Sequence, residues 1–168
     1  MKSKSIIIKP YYYLCLFILV IFLLSSCSRK LVETSVESGK IANKILIAAD
    51  ASEFKDIILK RIIETFQSEY NIDIVNIDKL NKKNIDNYSV VLIMDTCMAW
   101  TGFNPSLKAF IEKKDNRDKT VLFITAGDPD WKYSYLEIDA VTSASEIENE
   151  EIVYNELVER LKTILSNE

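Results

Sequence analysis

The sequence predicts one α/β domain, a three-layer sandwich in which a parallel sheet of five strands carries helices on both faces. Continuous apolar runs of strand length alternate along the chain with segments whose apolar residues recur every three or four positions. A strand that is apolar throughout is typical of a parallel sheet covered on both sides, and the alternation is typical of β-α-β units. Right-handed crossovers between parallel strands then place helices on both faces.

The predicted strands are short and mostly apolar. They are residues 44–49 (KILIAA), 72–77 (IDIVNI), 89–95 (SVVLIMD), 120–127 (TVLFITAG) and 135–141 (YLEIDAV). Helices are predicted over residues 53–69, 105–114 and 146–166, where the apolar positions follow helical spacing. Pro105 suits the first turn of the second helix, because a backbone N–H is not needed there.

The amino-terminal residues have the parts of an export signal. Residues 1–9 carry three lysines and no acid, and residues 11–24 carry no charge. This apolar run is shorter than the ~20 residues that span a bilayer. Its exit, Leu24-Ser25-Ser26-Cys27, resembles the bacterial lipobox. The resemblance implies a lipoprotein signal peptide over residues 1–26 and a lipid, palmitate included, on Cys27. An uncleaved anchor helix is the alternative.

Both interpretations place the chain on a membrane of the cell envelope, facing outward from the cytoplasm. The several acyl chains of mature bacterial lipoproteins give a firm anchor. Ser28 after the lipidated cysteine favours the outer membrane if the host is Gram-negative. Residues 27–43 are polar with scattered aliphatics and no sustained period, which predicts a lipid-anchored tether. Residues 44–168 are predicted to be the folded domain.

Composition excludes several classes of function. The chain has no histidine, which excludes imidazole metal sites and Ser-His catalysis. Without residues 1–26, 18 basic and 25 acidic residues remain, a net charge of −7. This charge opposes nucleic-acid binding and suits a basic redox partner protein. Cys15 leaves with the signal peptide and Cys27 carries the lipid, so Cys97 has no partner for an intramolecular disulfide.

The stretch MDTCMAWTGFNPSLKAFIEK, residues 94–113, resembles flavodoxin. Flavodoxin-like proteins follow their third strand with a small-polar and aromatic loop, here residues 95–103, and then with Leu-x-x-Phe-Ile. Residues 125–131, TAGDPDW, resemble the loop after the fourth strand. The resemblance covers about residues 44–166 and implies the flavodoxin-like strand order 2-1-3-4-5, with FMN bound at the carboxyl ends of the strands.

The phosphate loop departs from the flavodoxin pattern. That loop follows the first strand and is rich in Ser, Thr and Gly, whose hydroxyl and N–H groups hold the phosphate. Here the same place reads ADASEF, with Ser52 as its one hydroxyl and no glycine. Asp50 and Glu53 each oppose a phosphate by on the order of 1 kcal/mol, and their spacing is that of a capping box. Lys55 and Arg61 are expected to offset part of this.

Other candidate FMN contacts follow the third and fourth predicted strands. Trp100 and Phe103 are candidates to stack on the isoalloxazine ring, with Tyr133 or Trp131 over its other face. Four residues are candidates to reach the ring edge with backbone groups: Thr96, Gly102, Gly127 and Asp128. Alternatively, Trp100 and Phe103 only cap the core. Cys97 is either a reactive thiol in this cleft or a buried small apolar residue.

A second flavin hypothesis concerns residues 139–145, DAVTSAS. They resemble the Asp-x-x-Ser/Thr-Gly-Ala-Thr/Ser motif, in which FMN is attached through its phosphate to the last hydroxyl. The resemblance makes Ser145 the acceptor, with Ser143 in place of glycine. The alternative is that Ser145 is the N-cap of the last helix and Glu148 its capping-box partner.

The first functional hypothesis is a membrane-anchored flavodoxin-like lipoprotein that binds FMN and transfers electrons outside the cytoplasm. The second is a cofactor-free flavodoxin-like lipoprotein that acts as a binding module, because fold does not fix function. A quinone or nitro-group reductase would need a nicotinamide site, and the sequence has no motif for one. The sequence nominates no catalytic acid, base or nucleophile and no metal ligand.

Overall fold

The computed structural model describes residues 31–38, 43–97, 102, 104–128 and 130–167. Its strands are β1 (Thr34–Val36), β2 (Lys44–Ala49), β3 (Asn71–Asn76), β4 (Val90–Thr96), β5 (Thr120–Thr125), β6 (Ser134–Tyr135), β7 (Ile138–Asp139) and β8 (Val141–Ser143). Its α-helices are α1 (Glu53–Phe66), α2 (Pro105–Ile111) and α3 (Glu150–Leu165). Short 3-10 helices cover Ile77–Lys82, Ile85–Asn87, Lys114–Asn116 and Ile147–Asn149.

The main sheet has six strands in the order β1-β3-β2-β4-β5-β8. All neighbours are parallel except β1, which pairs antiparallel with β3. Numbered along the chain, the five parallel strands therefore have the predicted order 2-1-3-4-5, which is that of flavodoxin-like sheets. The predicted α/β fold with a parallel central sheet is confirmed.

The edge strand β1 lies in the segment that the sequence predicts to be tether. Its residues pair with the edge strand of the parallel set, Thr34 with Ile74 and Val36 with Ile72. The Ser35 hydroxyl donates to the Asp73 carboxylate at 2.6 Å. Three residues with one solvent face carry too short a pattern to be detected by periodicity. The sheet thus has one strand more than predicted.

Helices cover both faces of the sheet, and each face has its own apolar core. On one face, α1 and α3 pack on alternate residues of the central strands, such as Ile45, Ile47 and Leu92. On the other face, α2 and the 3-10 helix Ile77–Lys82 pack on the intervening residues, such as Leu46 and Ile93. The continuous apolar runs of the central strands are explained by this two-sided burial.

The last predicted strand is wrong. Residues 135–141 do not extend the main sheet; they belong mostly to a β6–β7 hairpin that forms a separate two-stranded sheet. The fifth parallel strand is β8, which begins at Val141. The hairpin turns at Leu136 and Glu137, both with positive φ, and neither residue type signals such a turn in the sequence.

Helix ends also differ from prediction by a few residues. Helix α1 ends at Phe66 and α2 at Ile111. The last helix begins at Glu150, after a 3-10 turn over Ile147–Asn149. Within the described residues, no helix is both long and apolar enough to cross a membrane.

Candidate functional site

The carboxyl ends of β2 and β4 meet at the point where the sheet changes winding direction. From the central strand β2 the chain moves to β3 on one side, and then crosses to β4 on the other side. Ligands of open α/β sheets bind outside the carboxyl ends of the strands at such a switch point. The candidate site therefore consists of the connections that follow β2, β4 and β5.

A charged network occupies the floor of this switch point. The Lys55 ammonium contacts the Asp50 carboxylate and donates to Thr96 Oγ1 at 2.5 Å. Thr96 Oγ1 in turn donates to Asp50 Oδ2 at 3.0 Å and accepts from Thr125 Oγ1 at 3.2 Å. The network thus joins α1 to the ends of β2, β4 and β5. Each polar side chain in it has a partner, as burial requires.

Lys55 lies beneath the surface, while Asp50 reaches it. The Lys55 side chain is 1% exposed and that of Asp50 is 34% exposed. Burial lowers the pKa of the Lys55 ammonium, and the Asp50 carboxylate opposes this effect. An ion pair at the switch point leaves the site with less negative charge than the sequence suggests.

The connection from β2 to α1 is only three residues long, Asp50 to Ser52. Ser52 is the N-cap of α1, and its Oγ accepts the Lys55 N–H at 3.2 Å. The capping by Asp50 and Glu53 that the sequence suggests is therefore not formed, because the Asp50 carboxylate is engaged by Lys55 and Thr96. The Ser52 hydroxyl lies at the helix terminus, where first-turn N–H groups lack partners within the helix.

Arg61 does not contribute to this site. Its guanidinium donates to the carboxylates of Glu150 at 2.9 Å and Glu151 at 2.8 Å. It also lies 3.8 Å over the centre of the Tyr154 ring. These contacts fasten α1 to α3, two turns away from the phosphate-loop position. The expectation that Arg61 offsets negative charge there is wrong.

Asp95 ties the two ends of the loop after β4 together. It is the penultimate residue of β4, and its Oδ2 accepts the N–H of Asn104 at 3.1 Å. Asn104 is the N-cap of α2 and accepts the Ser106 N–H at 2.8 Å. The Asp95 side chain is buried, and burial raises the pKa of its carboxyl group. Asp95 is therefore a positioning residue for the loop that carries Trp100 and Phe103.

The two predicted ring-stacking residues, Trp100 and Phe103, lie outside the described residues, as does Cys27. Gly102 between them has a φ of +65°, in the left-handed region that favours glycine. Thr96 is placed as predicted at the end of β4, but its described role is the hydroxyl contact with Asp50 and Lys55. The described residues on the two sides of this loop are joined by the bond from the Asn104 N–H to Asp95.

The connection after β5 places Gly127 and Asp128 at the surface formed by the carboxyl ends of the parallel strands. This end of the sheet is called the carboxyl edge. Asp128 Oδ1 accepts the Asp130 N–H at 3.0 Å, which forms a tight turn. Ala126 donates its N–H to the Ser143 carbonyl at 3.1 Å, which holds the start of this connection against β8. Gly127 and Asp128 therefore share the carboxyl edge with Ser52 and Thr96, as the sequence predicts.

An aromatic stack follows this turn. Trp131, Tyr133 and Tyr135 lie nearly parallel, with ring centroids 5.6 and 6.2 Å apart. The Tyr135 hydroxyl contacts Glu112 at 3.3 Å. Burial, with the nearby Tyr135, Cys97 and Asp95, raises the pKa of Tyr133 to about 12. Tyr133 is the middle ring of the stack, with Trp131 on one side and Tyr135 on the other.

Cys97 begins the loop after β4 and is partly buried. Its N–H donates to the Thr125 carbonyl at 2.8 Å. Burial raises the pKa of the Cys97 thiol, and the Asp95 carboxyl adds to this effect. The thiolate is the reactive form of cysteine, so this environment favours the small apolar role over the reactive one.

Ser145 is exposed and begins no helix. The 3-10 turn that precedes α3 has Glu146 at its N-cap position, and no side chain caps it. The Ser145–Glu148 capping box that the sequence offers as an alternative is therefore not formed. Ser143, two residues earlier, is buried and its hydroxyl donates to the Ala144 carbonyl at 2.6 Å. The Ser145 hydroxyl thus lies on the surface at the carboxyl edge of the sheet.

Sequence reasoning missed two members of the site. The sequence predicts only that Lys55 offsets charge, because an amphipathic helix carries no signal for burial of a lysine beside Asp50. It assigns Asp95 to the loop and gives it no role. A charged residue at the carboxyl end of an apolar strand is nevertheless a signal for the ligand-binding end of the sheet. Among the described residues, no group of three or more Cys, Asp or Glu side chains is arranged to hold a metal ion.

Comparisons with known proteins add little to this geometry. No protein-family model and no curated protein matches the sequence. One similar solved structure is oxidised flavodoxin 2 from Bacillus cereus. It is 15% identical, with a TM-score of 0.44, over 68% of this chain and 95% of its own. The fold assignment therefore rests on the strand order and the two helical layers described above.

Proposed function

We propose that this chain is a membrane-anchored, flavodoxin-like lipoprotein that binds FMN and transfers electrons outside the cytoplasm. The observation that carries the proposal is the ion pair at the switch point, where Lys55 neutralises Asp50 beside the N-terminus of α1. A phosphate that enters this place meets an Asp50 carboxylate whose charge is balanced by Lys55 from beneath the surface.

The ring-side groups support the same proposal. The segment after β4 contains Trp100 and Phe103 in the sequence, and the connection after β5 carries Trp131, which stacks on Tyr133. Such rings can enclose an isoalloxazine, and Gly102, Gly127 and Asp128 offer backbone groups toward its edge. FMN would supply one-electron chemistry, while this chain's residues bind it, exclude water and set its potential. The residues present are compatible with FMN, although the phosphate cradle is short.

A second candidate function is a cofactor-free binding module on the same lipoprotein. The three-residue connection without glycine favours it, because few N–H groups converge there on a phosphate. In this case the Asp50–Lys55 pair only stabilises the packing at the switch point and binds no ligand.

The protein isolated from its host membranes distinguishes the two functions. An oxidised-flavin absorption spectrum in the purified protein supports the first function. If the flavin band persists on a denaturing gel under ultraviolet light, and is lost in Ser145→Ala but kept in Ser143→Ala, the attachment is covalent at Ser145. Protein that is purified without flavin and does not take up added FMN supports the second function, the cofactor-free binding module.

A further inference from the structure

The direction of β1 determines which edge of the domain is closest to the lipid anchor. The strand runs antiparallel to β3, with Thr34 beside Ile74. The chain therefore enters the fold at the carboxyl end of β3. Glu33 confirms this direction, because its carboxylate accepts the Asn76 N–H at 3.3 Å and contacts the Lys79 ammonium at 2.6 Å.

The residues that precede β1 already belong to the carboxyl edge. Leu31 packs against the core on the α1 face. Together with Val32 and Ala51 it lines a groove of about 500 Å³ between the entering chain and α1. Ala51 is adjacent to the N-cap residue Ser52. The entering chain thus lies beside the candidate site, on the same edge of the sheet.

Chain length then limits the distance between this edge and the membrane. Four residue steps separate Cys27 from Leu31, and an extended chain spans at most ~3.5 Å per residue. Leu31, where the chain joins the carboxyl edge, is therefore held within about 14 Å of the acylated cysteine. The opposite edge is farther away by the height of the sheet, roughly 20 Å for six-residue strands.

The net negative charge of this edge opposes binding to an anionic lipid surface. Besides Asp50, which is paired with Lys55, this edge carries Glu53 at the start of α1 and four acidic residues after β5 and β8: Asp128, Asp130, Glu146 and Glu148. The 3-10 helix after β3 adds Asp78, Lys82 and Lys79, and Lys79 is paired with Glu33. Over residues 126–133 and 144–149 the one basic residue is Lys132. Like charges repel at the distances that the tether allows.

We infer that the carboxyl edge faces the bilayer and docks there against a basic surface of a membrane-embedded partner protein. The inference deepens the anchoring part of the proposed function and rests on lipidation of Cys27. It does not depend on FMN. Close tethering raises the effective concentration of the edge near such a partner, and opposite charge gives the encounter its orientation.

The orientation is tested with the full-length lipidated protein in vesicles of phosphatidylethanolamine and phosphatidylglycerol. In a Cys97→Ala background, a bimane label is placed at Glu148→Cys on the carboxyl edge or at Asp118→Cys on the opposite edge. Nitroxide headgroup lipids should quench the label at position 148 several-fold more strongly. A flexible Gly/Ser insert of about 20 residues between Lys30 and Leu31 should remove this difference.

Two failures are distinguishable in this experiment. A mass spectrum without lipid on Cys27 overturns the anchoring and the inference together. Lipidated protein with equal quenching at both positions overturns the inference alone, and FMN binding is unaffected by either result.

The partner is tested in the host with a photo-crosslinking residue at the same two positions. Adducts with an integral membrane protein should form from position 148, should not form from position 118, and should be lost in Asp128→Lys/Asp130→Lys. Adducts that form equally from both positions, that survive the charge reversal, or that are absent from position 148 contradict the inference.

Discussion

The functional question depends on two side chains at the residue scale. Asp50 opposes an FMN phosphate, and Lys55 compensates for it from beneath the surface. A buried ion pair is weak evidence for stability, because desolvation offsets much of the attraction. Its position at the switch point, rather than its strength, is what supports a role in binding.

Opposite effects of Lys55 and Asp50 are the first prediction. Lys55→Met removes the cation and should weaken FMN binding about tenfold, which is ~1.4 kcal/mol. Asp50→Asn frees the ammonium for the phosphate and should strengthen FMN binding by a similar factor. The measurement is the Kd for FMN by fluorescence, with riboflavin, which lacks the phosphate, as the matched ligand.

Three controls accompany this pair. Riboflavin affinity should stay unchanged in both variants, and far-ultraviolet circular dichroism should show that both are folded. Lys60→Met removes an exposed lysine of the same helix and should leave both affinities as they are. Equal loss of FMN and riboflavin binding in Lys55→Met would show that Lys55 acts only on the fold.

A second residue-scale prediction concerns Asp95. Burial raises the pKa of its carboxyl group, so between its unfolded and folded pKa the native state binds more protons than the unfolded state. Stability from this group is thus greatest at low pH and falls as pH rises through the folded pKa. Asp95→Asn keeps an acceptor for the Asn104 N–H and removes the charge.

Urea unfolding at two pH values tests the sign. The free energy of unfolding of Asp95→Asn, relative to the native protein, should be higher at pH 7 than at pH 4. The exposed Asp118→Asn serves as the control and should show no such change. A relative gain at pH 4 instead would mean that the Asp95 carboxylate is stabilised, not destabilised, by its surroundings.

At the scale of elements, β1 has the largest consequence. It converts part of the predicted tether into an edge strand and thereby fixes where the chain enters. The Ser35 hydroxyl of β1 donates to the Asp73 carboxylate of β3 at 2.6 Å, and the Tyr88 hydroxyl donates to the same carboxylate at 2.8 Å. These hydrogen bonds lower the pKa of Asp73 despite its partial burial.

Disruption of β1 is the third prediction. Ser35→Ala removes one hydrogen bond and should lower the free energy of unfolding by ~1 kcal/mol. Ser35→Pro also disturbs the ladder with β3 and should cost more, about 2–3 kcal/mol. Hydrogen exchange should show protected amides in residues 34–36 of the native protein and their loss in Ser35→Pro. Unprotected amides there in the native protein would contradict the strand.

The β6–β7 hairpin provides the fourth prediction. Leu136 and Glu137 adopt φ values of 49° and 70°, a conformation that glycine enters without a steric penalty. Glu137→Gly should therefore raise the free energy of unfolding by ~1 kcal/mol. Glu137→Ala, which keeps a Cβ, should bring no gain. If both variants change the free energy of unfolding equally in urea, the change comes from loss of the Glu137 carboxylate and not from the positive φ.

For the whole molecule, the sequence predicts the central strands of the sheet far better than the short strands β1 and β8 at its two sides. The strands over residues 44–49 and 120–127 are predicted because two-sided burial leaves an unbroken apolar run, and the second of them ends two residues earlier in the structure, at Thr125. β1 and β8 are three residues each, which is too short for such a signal. The apolar pattern that predicts a strand over residues 135–141 belongs mostly to the β6–β7 hairpin. Long-range pairing, not local pattern, determines these elements.

The candidate site likewise contains residues that the sequence places correctly and contacts that it does not predict. Residues that follow a strand, such as Thr96, Gly127 and Asp128, are placed on the correct edge, because strand direction fixes that edge. The pairing of Lys55 with Asp50 and the bond from Asn104 to Asp95 depend on where α1 and α2 dock on the sheet. No local pattern in the sequence specifies those distances.

The most direct test of the central claim is an FMN titration of the purified lipidated protein, in detergent and free of endogenous flavin. Binding at the switch point predicts quenching of flavin fluorescence with a Kd in the micromolar range or below, and weaker binding of riboflavin. Quenching should decrease in Trp100→Leu. A titration in which FMN fluorescence does not change would contradict flavin binding and leave the binding-module function in its place.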